Sequence, residues 1–249
     1  MAIDNAQILA ELDPDQLAVV TAISGPVCVI AGAGTGKTRV ITNRIAYAIN
    51  AGVTDPTKVL ALTFTAKAAG EMRARLRVLG ISNAAARTFH SAALKQLLYF
   101  WPYAFGGQFP SLLTTKSGFI SQAITRAEVA IPAQVNALRE IASEIEWAKV
   151  LEISPADYQE RAIESSRLVK LPNSKTQGEN LSMIAQVYEA YESLKKQERT
   201  LDFEDVLLLT VGMLEEDRGV RERVRDQYRY FTVDEYQDVS PLQQRLLNL

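Results

Sequence analysis

The sequence predicts an α/β fold, in which helices cover both faces of a parallel β-sheet and an all-α helical insertion interrupts the sheet. Two observations predict this class. Short apolar runs alternate with helical patterns up to about residue 90, and a further run stands near residue 230. Between them, residues 92–199 have helical periodicity and no strand signal. Alternating strands and helices are typical of a parallel sheet with right-handed crossovers.

Three runs of residues predict the strands of this sheet, at 27–31, 59–64 and 228–233. The first two are continuously apolar, which is typical of strands that are buried on both faces. We therefore expect Cys28, which lies in the first run, to be in the core. The third run is aromatic and β-branched, and it leads directly into two carboxylates.

Four segments place apolar residues at helical spacing and predict the clearest helices, at 37–51, 66–79, 135–151 and 181–196. The first two follow the first two predicted strands, and the last two lie in the predicted insertion. A polar stretch at residues 172–178 predicts a loop within that insertion.

The composition excludes several classes of protein. The chain has 249 residues, and its 27 basic and 29 acidic side chains give a net charge of −2. This excludes a globally basic nucleic-acid binder but leaves room for a local basic patch. A single cysteine excludes an internal disulfide framework, and a single histidine argues against a His-rich metal site. Because the sequence shows no signal peptide and no apolar run of ~20 residues, we expect a cytoplasmic protein without a membrane partner.

A glycine-rich segment at residues 31–38 follows the P-loop pattern G-x-x-x-x-G-K-[ST], with Ala31 in place of the first glycine. Small residues let backbone N–H groups surround phosphates, and the following helix adds its N-terminal partial charge. We expect Lys37 to reach the β- and γ-phosphate oxygens and the Thr38 hydroxyl to bind Mg²⁺. The alternative is a glycine-rich turn that binds no ligand. The predicted nucleotide-binding residues here are Ala31, Gly32, Ala33, Gly34, Thr35, Gly36, Lys37, Thr38 and Arg39.

Two adjacent carboxylates follow the third predicted strand, where residues 233–238 read VDEYQD. We expect Asp234 to hold the metal through its water shell and Glu235 to polarise the attacking water. A solvated strand end is the alternative, but an apolar strand precedes the pair and a P-loop is present. The predicted catalytic residues are therefore Lys37, Asp234 and Glu235, and the predicted metal ligands are Thr38 and Asp234.

The P-loop and the Asp-Glu-x-Gln-Asp segment together resemble the N-terminal half of the UvrD/Rep/PcrA-type superfamily 1 DNA helicases. Four further segments resemble family motifs in the family's order: residues 12–16 the Q motif, 63–69 motif Ia, 88–91 the T-F-H-S segment and 201–205 the D-F-x-D segment. The resemblance implies that the Gln16 amide reads the adenine edge. Two positions differ from the usual pattern, since Ala66 stands in place of Asn and Tyr236 in place of Phe.

The resemblance implies a RecA-like ATP-binding domain, called 1A, formed by residues 1–91 and 200–249, and a helical domain 1B formed by residues 92–199. It implies ATP and Mg²⁺ as cofactors. It also implies contact with single-stranded DNA and single-strand/double-strand junctions at Thr63, Phe64, Thr65, His90 and Ser91. Phe64 could stack on a base and the hydroxyls could bond phosphates. A core position for Phe64 and a structural role for His90 are the alternatives.

The function that the resemblance implies is an ATP-dependent 3′-to-5′ DNA helicase or translocase in repair or recombination. Two alternatives stay open: a helicase subunit of a RecB/AddA-like helicase–nuclease, and a nucleotide-gated DNA-binding module without motor activity. The sequence stops at Leu249, before the segments of the family that complete the ATP site. We therefore expect an N-terminal fragment that hydrolyses ATP slowly if at all, with the C-terminal RecA-like domain of the same protein as its partner.

Overall fold

The computed structural model describes residues 4–32, 34–172 and 176–249. The fold is mixed α/β, with a small parallel sheet and many helices. The chain divides into two compact units, one of Met1–Gln96 with Leu214–Val239 and the other of Leu97–Met213 with Ser240–Leu249. The assignment of residues 1–91 and 200–249 to one domain and 92–199 to another stays a prediction.

The helices are α1 (Asn5–Leu9), α2 (Pro14–Thr21), α3 (Lys37–Asn50), α4 (Ala66–Val78), α5 (Phe89–Ala104), α6 (Ser117–Arg126), α7 (Val135–Val150), α8 (Tyr158–Glu164), α9 (Gln177–Glu198), α10 (Phe203–Glu216), α11 (Arg218–Gln227) and α12 (Pro241–Asn248). The strands are β1 (Val59–Thr63), β2 (Ala85–Thr88), β3 (Ser111–Leu112), β4 (Thr200–Leu201) and β5 (Tyr230–Val233). Short 3₁₀ turns lie at Pro56–Lys58 and Tyr236–Asp238.

The main sheet has the order β2-β1-β5, and both pairings are parallel. All five residues of the central strand β1 are buried, as its continuous apolar sequence predicts. The register places Leu62 opposite Arg87 on one side and Val233 on the other. This pairing carries the end of β5, and the carboxylates after it, to the same edge of the sheet as the end of β1.

The strand predicted at residues 27–31 is wrong. The structure has no regular secondary structure there, and Ile30 is 98% exposed. Cys28 is exposed as well, so its predicted core position is also wrong. In the described part of the chain, no strand pairs with this segment, because the sheet runs from β2 through β1 to β5. An apolar run without a neighbouring strand cannot bury its side chains in a sheet, whatever its β-propensity.

The four predicted helices agree with α3, α4, α7 and α9, with ends that differ by four residues at most. The all-α insertion needs a correction, because Ser111–Leu112 forms the two-residue strand β3, which pairs in parallel with β4. A pair this short leaves no periodic signal in the sequence. The polar loop predicted at residues 172–178 falls partly on residues 173–175, which are outside the described residues.

Each unit has its own apolar core. In the first, Val40 and Ile45 of α3 pack with Met72 and Leu76 of α4 and with Val59 of β1. In the second, side chains of α6, α7 and α9 form one continuous cluster. The helices that the structure describes include none with the length and apolar character needed to span a bilayer.

The second unit also contains a buried group of four charges, named here the lysine–aspartate cluster: Lys149, Lys195, Asp202 and Asp205. Lys149 of α7 donates to both Asp202 oxygens at 2.7 and 2.8 Å, and Lys195 of α9 donates to Asp202 at 2.9 Å and to Asp205 at 2.6 Å. The Asp202 and Asp205 side chains also cap the start of α10 reciprocally. The cluster therefore joins three helices of this unit through charge-assisted hydrogen bonds.

Burial by itself would raise the pKa of Asp202, but the charges of Lys149 and Lys195 outweigh it, so this pKa lies below its usual value. Burial by itself would lower the pKa of Lys149, but the charges of the neighbouring carboxylates outweigh it, so this pKa lies above its usual value. The carboxylates of Glu192, Asp202 and Asp205 lie close enough together to hold a metal ion. The two ammonium groups already contact all three, so the cluster is an ion-pair network rather than a metal site.

Candidate nucleotide site

The P-loop segment opens α3 with a bare helix N-terminus. Gly34 and Gly36 have φ angles of +79° and +82°, which side-chain-bearing residues rarely adopt. Gly36 is the N-cap of α3, and no described side chain caps the helix there. The first amides of a 14-residue helix therefore have no side-chain partner at this end, and such amides bind anions. Ala33, a predicted binding residue, lies outside the described residues.

Lys37 lies between the P-loop backbone and the carboxylate turn. Its ammonium donates to the Gly32 carbonyl at 3.3 Å and is 3.8 Å from Glu235 Oε1. The two side chains of this ion pair are 30% and 42% exposed, so water and ligands can reach both. The Thr35 hydroxyl also donates to the Gly32 carbonyl, at 2.9 Å, and closes the loop on itself.

The end of β5 presents the two predicted carboxylates in different environments. Asp234 is 7% exposed, and its backbone N–H continues the sheet by donating to the Leu62 carbonyl at 2.9 Å. Burial, helped by the neighbouring charge of Glu235, raises the pKa of Asp234, and the charge of Lys37 opposes that rise. Glu235 is half-buried and adopts a left-handed backbone with φ of +51°. For a residue with a Cβ, that conformation costs of order 1 kcal/mol and is enriched at functional sites.

Gln16 links the Q-motif helix to the P-loop. Its amide oxygen accepts from the Asp13 N–H at 3.4 Å, and its backbone N–H donates to Asp13 Oδ1 at 2.8 Å, which forms a capping box on α2. Its amide nitrogen donates to the Thr35 carbonyl at 3.1 Å. The side chain predicted to read adenine is therefore held against the backbone of the phosphate loop.

Arg39, the last predicted nucleotide-binding residue, points toward the segment before α2. Its guanidinium donates to the Glu11 carboxylate at 2.8 Å and to the Glu11 carbonyl at 3.1 Å. Sequence reasoning did not single out Glu11, although it directly precedes the Q-motif segment at residues 12–16. This pair joins α3 to the residue just before the Q-motif segment, whereas Gln16 joins that segment to the P-loop.

The predicted metal ligands have donor chemistry that suits Mg²⁺, which prefers hydroxyl, carboxylate and water oxygens. Asp234 supplies a buried carboxylate at the sheet edge. Thr38 lies in the first turn of α3, half-buried, and its carbonyl accepts from the Thr42 hydroxyl at 3.0 Å. The donor set therefore fits a hard divalent cation.

The predicted DNA-contacting residues cluster around the ends of β1 and β2. Thr63 is only 2% exposed, whereas Phe64 is half-buried, with its ring centroid 5.8 Å from that of Phe89. The Thr65 hydroxyl accepts from the Ala68 N–H at 3.1 Å and caps α4. His90 is half-buried in the first turn of α5.

Ser91 exchanges hydrogen bonds with Thr88 at the start of α5. The Ser91 hydroxyl accepts from the Thr88 N–H at 3.0 Å, and the Ser91 N–H donates to the Thr88 hydroxyl at 3.1 Å. The threonine and serine of the T-F-H-S segment thus cap the helix that begins between them. The residue types that suggest phosphate contacts also have a local structural role here.

Gln237 is a second site residue that sequence reasoning missed. Its amide nitrogen donates to Glu235 Oε2 at 2.7 Å. In the sequence, Gln237 is marked only by its place in the DEYQD segment at residues 234–238. That spacing does not predict that its side chain folds back onto Glu235.

Comparison with known proteins identifies the family of this chain. Residues 12–249 match the family described as the UvrD/REP helicase N-terminal domain. The protein named ATP-dependent DNA helicase UvrD2 from Mycobacterium tuberculosis (strain ATCC 25618 / H37Rv) is 43% identical over 259 residues, which cover 100% of this chain and 36% of that protein.

Two more distant relatives have the same kind of name. ATP-dependent DNA helicase PcrA from Leuconostoc citreum is 32% identical, covering 94% of this chain and 30% of the relative. ATP-dependent DNA helicase Rep from Buchnera aphidicola subsp. Baizongia pistaciae is 33% identical, and the match covers 94% of this chain and 33% of that relative. The chain spans about a third of the length of these relatives. Because the family match spans residues 12–249, nearly the whole chain, the chain belongs to the UvrD/REP helicase N-terminal domain family.

Proposed function

We propose that this chain is the nucleotide-binding part of an ATP-dependent DNA helicase that translocates 3′ to 5′ on single-stranded DNA in repair or recombination. The observation that carries the proposal is the 3.8 Å distance between the Lys37 ammonium and Glu235 Oε1. The uncapped N-terminus of α3 begins at Lys37, and the buried carboxylate of Asp234 directly precedes Glu235. An anion site next to a candidate base is what phosphoryl transfer to water requires. The names of the relatives support the choice of DNA as substrate.

In this proposal, residues 1–91 and 200–249 form the RecA-like domain 1A, with helices on both faces of its sheet, and residues 92–199 form the helical domain 1B. The site is completed by a C-terminal RecA-like domain of the same protein. The proposed location is the cytoplasm, and the proposal includes no membrane partner.

The proposed chemistry assigns one role to each side chain. Lys37 and the first amides of α3 bind the phosphates, and Gln16 and Arg39 contact the nucleoside. Glu235 takes the proton from the attacking water. Thr38 and Asp234 would hold Mg²⁺, which supplies neutralisation of the triphosphate charge when it is bound.

The proposed DNA contacts are Phe64, Thr65, His90 and Ser91, which are four of the five residues that the sequence predicts. The half-buried Phe64 ring is the candidate for base stacking, which tolerates any sequence. Thr63 is buried, so we expect it to act by holding the end of β1 rather than by touching DNA. Single-strand/double-strand junctions are the proposed substrate for unwinding.

The test uses the full-length protein with ATP and Mg²⁺. We expect single-stranded DNA to stimulate ATP hydrolysis, and we expect unwinding of a duplex with a 3′ single-stranded tail but not of one with a 5′ tail. Glu235→Gln is the matched inactive control. ATP hydrolysis that does not respond to DNA would favour a nucleotide-gated binding module. DNA cleavage that accompanies unwinding would favour a RecB/AddA-like helicase–nuclease.

A further inference from the structure

The carboxylate of Glu235 has a hydrogen-bond or ion-pair partner on each of its two oxygens. Oε1 faces the Lys37 ammonium at 3.8 Å, and Oε2 accepts from the Gln237 amide nitrogen at 2.7 Å. The first partner comes from the P-loop helix and the second from the turn that carries Glu235 itself. Of the two, only the contact with Gln237 is within hydrogen-bond distance, and it lies at an exposed position.

The backbone of this turn brings the amide of Gln237 to the carboxylate. Glu235 is the N-cap of the 3₁₀ turn Tyr236–Asp238, and its left-handed φ of +51° reverses the chain directly after β5. The Asp238 N–H then donates to the Glu235 carbonyl at 2.9 Å and closes the turn. Gln237 lies inside this closed turn, and its side chain folds back onto the Glu235 carboxylate.

We propose that Gln237 is a positioning residue for Glu235, an inference that rests on the proposed function. Lys37 cannot hold the carboxylate during the reaction, because its charge is needed at the phosphates when nucleotide binds. Gln237 is not among the residues proposed to bind the phosphates, so we expect it to keep its contact with Oε2 when nucleotide binds. Once Lys37 turns to the phosphates, Oε1 is available to accept the proton of the attacking water.

A neutral amide suits this task. Its amide nitrogen donates one hydrogen bond that orients the Glu235 carboxylate. Because the amide is neutral, it does not form an ion pair with the carboxylate as Lys37 does, and it does not accept the water proton in place of Glu235. A well-oriented base accounts for much of the rate in general base catalysis, and small displacements cost large factors.

The test measures steady-state ATP hydrolysis by the full-length protein with single-stranded DNA. Gln237→Met keeps the side-chain length and removes the donor. We expect kcat to fall about tenfold or more, with KM for ATP and nucleotide affinity changed by less than about twofold. A merely structural role would instead weaken nucleotide binding or lower the melting temperature together with kcat.

The matched control is Gln186→Met on α9, which removes an exposed amide that donates to the Ser182 carbonyl at 3.3 Å. It should leave kcat unchanged. A double-mutant cycle adds an independent readout, because Gln237→Met should have no further effect on the residual single-turnover rate of Glu235→Gln. An additive loss in the double mutant, or a normal kcat in Gln237→Met, overturns the inference while the proposed function stands. Absence of ATP hydrolysis in the unchanged protein overturns both.

Discussion

Lys37 and Glu235 lie 3.8 Å apart, Nζ to Oε1, although they stand near opposite ends of the sequence. The parallel pairing of β5 with β1 brings the carboxylate turn to the edge of the sheet, and α3 begins with Lys37 beside it. Because both side chains are partly exposed, the pair contributes little to folding stability. The lysine can therefore leave the carboxylate for a triphosphate at small cost.

Replacement of Lys37 by alanine should weaken ATP binding about 10- to 100-fold, because the triphosphate loses a charge-assisted contact. Titration with a fluorescent ATP analogue measures the change in Kd. Lys67→Ala, which removes a lysine whose side chain is 87% exposed on α4, is the control and should leave Kd unaltered. An unchanged Kd in the Lys37 variant would contradict the assignment of the phosphate site.

Glu235→Gln should keep nucleotide binding and lose turnover, because the amide preserves the shape of the side chain but cannot take a proton from water. We expect kcat of the full-length protein to fall about 10²- to 10⁴-fold with a Kd for ATP within about twofold. The measurement pairs DNA-stimulated hydrolysis with equilibrium nucleotide binding. Near-normal turnover would remove Glu235 from the role of base.

Gln16→Ala should reduce the preference for ATP over GTP, because the amide held near the phosphate loop by Thr35 is the proposed reader of adenine. Competition of the two nucleotides for the same site gives the ratio of affinities. Gln7→Ala is a close structural control, since Gln7 makes the same capping box with Asp4 on α1. If both variants keep the preference for ATP, another residue selects the base.

Phe64→Ala should weaken single-stranded DNA binding by about 1–3 kcal/mol, the usual contribution of one stacked base. Fluorescence anisotropy with labelled oligonucleotides of two unrelated sequences measures the loss, which should be the same for both. Phe119→Ala serves as the control, because this half-buried ring packs near Tyr191 in the core of the second unit. Equal losses in the two variants would indicate general destabilisation instead of lost stacking.

Asp202→Asn should destabilise the fold at neutral pH by about 3–5 kcal/mol, because Lys149 and Lys195 lose a shared buried counter-charge. The pKa of Asp202 is lowered in the folded protein, so its contribution is present above the unfolded value near 4 and is lost as the pH falls further. Urea unfolding from pH 7 to pH 2 should therefore show the difference between wild type and variant shrinking in acid.

The control for that experiment is Glu164→Gln, which breaks an exposed ion pair with Arg161 on α8. Its unfolding midpoint should stay close to that of the wild type at every pH. A constant difference between wild type and Asp202→Asn across the pH range would mean that the charge of Asp202 is not what stabilises the unit.

Local patterns in the sequence predicted four of the twelve described helices and the strands β1 and β5. The helical period that predicts residues 37–51 appears as Lys37–Asn50, because an amphipathic helix is specified by residues within a few turns of each other. The apolar run at 59–64 likewise appears as the buried strand β1. The run at 27–31 is also apolar but forms no strand, because a strand depends on a neighbour that can lie anywhere in the chain.

In the candidate site as well, the motifs could be predicted from the sequence, but the contacts between distant or folded-back side chains could not. The P-loop spacing and the adjacent carboxylates are readable because backbone geometry requires those residue types at those positions. The contacts of Gln237 with Glu235 and of Glu11 with Arg39 depend on a left-handed turn and on the packing of two segments. Neither depends on a residue pattern, so neither could be predicted from the sequence.

The lysine–aspartate cluster limits which substitutions this protein can accumulate. Each member forms ion pairs with two others, so a single replacement leaves an unbalanced charge at a largely buried position. An evolutionary path that abandons the cluster must pass through a poorly folding intermediate or change an acid and a base in one step. Substitutions at these four positions should therefore occur together, even though none of them is a proposed nucleotide-binding residue.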